Sequence, residues 1–198
     1  MVTAMTGALD RRDAVSRLLA SRGDVLVVTG LGSPTYDVHA HGDHEANYYL
    51  WGAMGGAALV GFGVAQAQPS RRVLVITGDG EQLMALGGLA TIATARPTNL
   101  DIVVLDNEHY GETGMQISHT GLGIDIAAVA SAVGFADARV VRTDDDLIRL
   151  IRDQTAPATG PRLAVVKIRA ENLPRSMPTR DAVFIKNRFR AHLGLMPN

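Results

Sequence analysis

The chain has 198 residues, 46% of them hydrophobic and 20% charged, with a formal net charge of −1. That balance suits one soluble α/β domain with a sizeable core, excludes whole-chain disorder, and argues against a nucleic-acid scaffold, since no Lys/Arg run is present. There is no cysteine, which excludes disulfides, zinc–thiolate centres and thiol nucleophiles.

Met1–Arg12 lacks an apolar leader run, so a cytoplasmic location is expected. Asp10–Ser21 reads as an amphipathic helix with Val15, Leu18 and Leu19 on one face, and Asp24–Thr29 as a buried strand. Residues 30–50 are loop-like, with Gly30, Gly32, Pro34 and Gly42. Tyr48–Ser70 is uncharged and long enough to span a bilayer. Its Gln66, Gln68, Pro69 and five glycines instead point to a buried helix over Ala53–Ala67, so no membrane partner is expected.

Arg72–Thr77 is a second strand, followed by a helix over about 82–95, and Leu100–Leu105 is a third strand. A polar, glycine-containing segment, 106–123, precedes a helix over Ile124–Val133 and a short strand over Arg139–Val141. Thr143 with Asp146 three residues on resembles a capping box that opens another helix. Leu163–Ile168 is the last strand, 171–180 a linker, and Asp181–Leu193 a terminal helix. Continuously apolar strands alternating with helices predict a doubly wound parallel sheet with helices on both faces. The whole of 1–198 reads as a single domain, with 171–198 as its C-terminal linker and helix.

In such a sheet ligands sit beyond the carboxyl ends of the strands. Gly78-Asp79-Gly80 follows the second strand and Asp106-Asn107 the third. A carboxylate and an amide oxygen at neighbouring strand ends can share one hard cation, whose remaining positions suit phosphate oxygens and water. The glycines let backbone approach a phosphate, and a helix starting near Glu81 offers free N–H groups. These residues read as a metal–diphosphate clamp.

Gly78-Asp79-Gly80, with 27 residues between Asp79 and Asn107, resembles the signature of thiamine diphosphate-dependent enzymes, with Asp106 where another Asn is usual. Trp51-Gly52-Ala53-Met54-Gly55 is similar to their segment that holds the pyrimidine and thiazolium rings. Asp106–Gln116, Leu31–Pro34 and Ile185–Phe189 resemble the sulfopyruvate and phosphonopyruvate decarboxylases. The resemblance covers most of the chain and implies the diphosphate-binding (PP-type) fold. It further implies that Asp79, the side chain of Asn107 and the carbonyl of His109 bind Mg²⁺. Gly78, Gly80, Glu81 and Gln82 would meet the diphosphate of thiamine diphosphate, with Tyr110 and Gly111 in the adjoining loop. Gly52, Ala53 and Met54 would hold the rings, Met54 wedging between them and the Gly52 carbonyl accepting from the pyrimidine amine.

By the same resemblance the reaction is decarboxylation of a small 2-oxo acid to an aldehyde and CO₂. The pyrimidine-binding domain, with its activating glutamate, would come from a separate α subunit, making this chain the β subunit of a hetero-oligomer. Ligation to an acceptor carbonyl, as in acetolactate- or benzoin-type synthases, is the alternative fate. Two departures stand out: Glu81 replaces a common Ser beside the phosphates, and Glu112 replaces a small polar residue. Pyruvate decarboxylases carry an acid at the position of Thr113. Glu112 is therefore a candidate proton-transfer or substrate-selecting group.

His39-Ala40-His41-Gly42-Asp43-His44 matches the HxHxDH pattern of metallo-β-lactamase-like hydrolases, where such residues hold zinc. A further ligand histidine is missing between His44 and Asp79. His44 otherwise remains a candidate proton donor at the cofactor site.

Overall fold

The computed structural model describes residues 9–20 and 22–195. The readings of Met1–Arg12, of Ser21 as a helix end and of the last residues of the 171–198 tail fall partly or wholly outside them.

Apolar residues alternate faces along each central strand, and this builds two cores from one sheet. Six parallel strands run in the order β2 (Asn47–Tyr49), β1 (Leu26–Thr29), β3 (Val73–Gly78), β4 (Leu100–Asp106), β8 (Arg162–Lys167), β7 (Asp137–Val141), and a separate antiparallel pair, β5 (His109–Tyr110) with β6 (Gln116–Ile117), follows β4. Leu26, Val28, Val73, Val75, Ile102 and Val165 point into one core, under α3 (Ala57–Ala67), α5 (Gly88–Ala95) and α6 (Ile126–Val133). Val27, Leu74, Ile76, Val103, Ala164 and Val166 point into the other, under α1 (Arg11–Leu19), α2 (Ser33–His41) and α7 (Asp144–Gln154). Each large aliphatic side chain so buried contributes roughly 1.5–3 kcal/mol of transfer free energy. α8 (Ala182–His192) lays Ile185 against one core and Phe189 against the other.

Several elements differ from the sequence reading. Residues 30–50 are not a loop: they form α2, with Pro34 in its first turn, and the edge strand β2. Pro in a first helical turn is a start signal, because its missing N–H has no partner to lose there. The helix expected over 82–95 is two, α4 (Asp79–Met84) and α5, broken at residues 85–87. α3 starts at Ala57, after Gly52 and Gly55 have taken left-handed conformations (φ +73° and +89°) that a helix cannot accommodate. The expected capping box is present at α7, with Thr143 and Asp146 satisfying each other's backbone N–H.

Tyr48–Ser70 resolves into β2, a turn and the eleven residues of α3. A Cβ at Gly61 would lie 2.2 Å from Val75 Cγ2, so glycine there lets α3 settle onto β3. Among the described residues no helix is long and apolar enough to cross a membrane.

β1 pairs with β2 on one side and β3 on the other, so the chain changes direction between β1 and β3. A crevice opens at the carboxyl ends of the strands beside such a switch point.

Candidate functional site

Gly78 pairs with Leu105 across β3 and β4, so Asp79, the first residue beyond β3, stands beside Asp106, the last of β4, and Asn107 follows one position on. Gly78 is extended (φ −100°, ψ 162°), and Asp79 opens α4 with no side chain capping its first turn. Gly80 cannot be larger, since a Cβ there would stand 2.8 Å from the Tyr110 ring.

Asp79 is 3% exposed, and its Oδ2 accepts from Ser118 Oγ at 2.5 Å and Thr120 Oγ1 at 3.1 Å. Burial pushes this carboxyl up to about 6; the Asp106 charge adds to the rise, and the Ser118 and Thr120 hydroxyls oppose it. A buried carboxylate held by two hydroxyls and the Gly80 N–H, with no cationic partner among the described residues, has its charge poorly compensated, and a cation would remedy that.

Asp106 is placed differently. Its Oδ2 accepts from Lys167 Nζ at 2.7 Å, and its Oδ1 accepts from Glu108 N–H at 2.9 Å and Thr120 Oγ1 at 2.8 Å. Asn107 Oδ1 accepts from His109 N–H at 2.9 Å. Two successive side-chain turns thus fold the backbone after β4, with Glu108 left-handed at φ +62°. The donor set available here, one carboxylate, one amide oxygen and the carbonyl of the same turn, is all oxygen, as a hard divalent cation prefers.

Of the residues singled out in the sequence, Met54, Gly78, Asp79, Gly80, Glu81, Asn107, His109, Tyr110, Gly111 and Glu112 line one cleft of about 210 Å³. Gly52 and Ala53 lie in the turn just before Met54, which is 45% exposed. Glu81 turns its carboxylate toward backbone: Oε2 accepts from Leu31 N–H at 2.8 Å and Oε1 from Ala57 N–H at 3.3 Å. It thereby ties the loop after β1 to the start of α3, and burial raises its pKa. A Cβ at Gly30 would fall 1.8 Å from Glu81 Oε2, so the two positions depend on each other. Glu112 leans over Gly32 and accepts from Arg175 at 2.9 Å.

His44 does not line this cleft. It precedes β2, at the opposite end of the strand from the site, and its Nδ1 accepts from Ala46 N–H at 3.0 Å while its ring meets His192 edge-on. His39 pairs with Ser176, His41 with Ser16, and Asp43 with Arg188 and Tyr49. Among the described residues no group of three or more His, Cys, Asp or Glu is placed to hold a metal, so the zinc-hydrolase reading loses its ligand cluster.

Sequence reasoning passed over Ser118, Thr120, Lys167, Arg11 and Arg175. Lys167 carried a usable signal, since a lysine inside an otherwise apolar strand requires a buried acid. Arg11 lines the cleft while paired with Asp37 at 2.9 Å and Ser33 at 2.9 Å.

Residues 30–168 match the family described as thiamine pyrophosphate enzyme, C-terminal TPP binding domain. The chain is 39% identical over 181 residues to sulfopyruvate decarboxylase subunit beta of Methanothermobacter thermautotrophicus, covering 91% of this chain and 94% of that protein. It is 38% identical to phosphonopyruvate decarboxylase of Streptomyces viridochromogenes over 93% of its own length but 46% of the relative's. Among solved structures, benzoylformate decarboxylase of Polynucleobacter necessarius superposes with a TM-score of 0.73 at 22% identity, over 86% of this chain and 35% of that one. The 4-hydroxybenzoylformate decarboxylase of Rhodococcus jostii gives 0.70 at 20% identity, over 86% and 34%. These two likenesses concern the fold.

Proposed function

The chain belongs to the thiamine pyrophosphate-dependent enzymes, and on that premise we propose that it is the β subunit of a heteromeric 2-oxo acid decarboxylase of the sulfopyruvate or phosphonopyruvate type. Residues 1–198 form one diphosphate-binding domain, and a separate pyrimidine-binding subunit supplies the activating glutamate. The observation that carries the reading is the pair Asp79 and Asn107, the first residues beyond β3 and β4, with Asp79 buried and without a cationic partner among the described residues. Relatives that are themselves β subunits and match this chain nearly end to end support the division of labour.

Asp79, Asn107 Oδ1 and the His109 carbonyl would hold Mg²⁺, and the N–H groups of Gly80, Glu81 and Gln82 would bind the diphosphate. Thiamine diphosphate, when bound, supplies the carbon nucleophile and the electron sink for CO₂ loss. The Gly52 carbonyl would accept from the pyrimidine amine, and Met54, exposed at the cleft edge, would pack against the rings. Glu81 keeps its charge off the phosphates by spending both oxygens on backbone N–H groups. Glu112 handles the proton at the reacting carbon. Its pairing with Arg175 tempers the repulsion a second substrate anion would otherwise feel.

The test is product analysis with the chain and its partner subunit on sulfopyruvate and phosphonopyruvate. CO₂ with the matching aldehyde supports the reading; a hydroxyketone would make the enzyme a carboligase, and no Mg²⁺- and cofactor-dependent product would refute it.

A further inference from the structure

Lys167 does not line the cleft, yet it is 9% exposed and touches the metal-binding turn from behind. It ends β8 in register with Asp106 on β4. Its ammonium lies 2.7 Å from Asp106 Oδ2 and 2.7 Å from Glu108 Oε1. Asp106 in turn holds the Glu108 N–H and the Thr120 hydroxyl, and Thr120 reaches on to Asp79. Glu108 is a non-glycine residue in a left-handed conformation, which costs roughly 1–2 kcal/mol. Three contacts hold it there: its N–H to Asp106, its carboxylate to Lys167, and its carbonyl accepting from Ser118 N–H at 2.8 Å. Asn107 and His109 flank it on either side.

We propose that Lys167 and Asp106 are positioning residues that lock the turn carrying Asn107 and the His109 carbonyl, so that these oxygens and Asp79 face one divalent cation before it arrives. The inference rests on the reading of Asp79, Asn107 and His109 as the Mg²⁺ site. It also accounts for Asp106: an acid suits this position because β8 brings an ammonium to it, whereas an amide would turn one of its donors toward Lys167.

Positioning and simple electrostatics predict opposite signs. A fixed positive charge near a cation site repels the cation, so if charge alone mattered, Lys167→Met would tighten Mg²⁺ binding. If Lys167 positions the turn, the same change weakens it, by roughly 10–100-fold as for other outer-sphere partners of metal ligands.

The experiment is calorimetric titration of Mg²⁺ into the full chain at saturating thiamine diphosphate, with the melting temperature of each metal-free variant measured alongside. Lys167→Met is expected to weaken binding. Lys167→Gln, which removes the same charge but keeps a polar group at the end of β8, should weaken binding less and serves if Lys167→Met does not fold. Mg²⁺ affinity equal to or tighter than wild type in Lys167→Met or Lys167→Gln would overturn the inference. A lowered melting temperature with unchanged affinity would show a purely structural pair, also against it. A wild-type chain that takes up no Mg²⁺ would instead refute the underlying metal reading.

Discussion

Two stretches of this chain are rich in residues that ligate metals, and they fold to opposite outcomes. Residues 39–44 place three histidines and an aspartate within six positions, yet each of these side chains hydrogen-bonds to different partners. His39 and His41 lie two apart on α2, which turns them about 200° from each other. Asp79 and Asn107 stand 28 positions apart, yet each is the first residue beyond one of two adjacent parallel strands. Density of ligand types along a sequence is therefore a weaker sign of a site than strand ends that the sheet brings together.

The largest expected contrast tests that lesson directly. Asp79→Ala removes the carboxylate and should weaken Mg²⁺ and cofactor binding by more than about 100-fold, with loss of decarboxylation in the assembled enzyme. Replacing His39, His41 and His44 together by Asn should leave Mg²⁺ affinity unchanged. Equal losses in both variants would erase the distinction between the stretches.

A second prediction concerns stability without metal. The folded carboxyl of Asp79 sits at about 6, above its ordinary 3.8, so its contribution is fully present below about pH 4 and is lost as pH rises through about 6. In chelator, Asp79→Asn should therefore be more stable than wild type by about 3 kcal/mol at pH 7.5, and by little near pH 4. Denaturant titrations at both values check this; a difference that does not change with pH would contradict the account of the buried charge.

Glu81→Ala should cost about 1–3 kcal/mol, because Leu31 and Ala57 N–H groups lose their acceptor at buried or half-buried sites. Thermal unfolding of the metal-free chain measures it, and a change near zero would mean that water replaces the carboxylate without cost. The smallest effect belongs to the histidine-rich stretch: Arg188→Ala breaks a half-exposed pair with Asp43 and should cost under about 1 kcal/mol, with Mg²⁺ affinity unchanged.

The central strands were legible because burial on both faces makes them continuously apolar, as in the runs ending at Thr29, Thr77 and Leu105. β2 was not, since Asn47–Tyr49 is short, sits at a sheet edge and follows a polar turn. The break between α4 and α5 was equally hidden, although Gly87 and Gly88 mark it. In the site, Asp79 and Asn107 could be read from strand-end position. Ser118 and Thr120 could not, because nothing local announces that a loop some 40 residues on returns to cover Asp79. His44 shows the converse, a residue type that invites a role and is held elsewhere by its own backbone.

The most direct test of the site is Mn²⁺ titration in the presence of thiamine diphosphate, followed by electron paramagnetic resonance. The account predicts a single saturable site in the wild-type chain, its loss in Asp79→Ala, and its retention in the triple histidine variant. Retention in Asp79→Ala with loss in the histidine variant would contradict it.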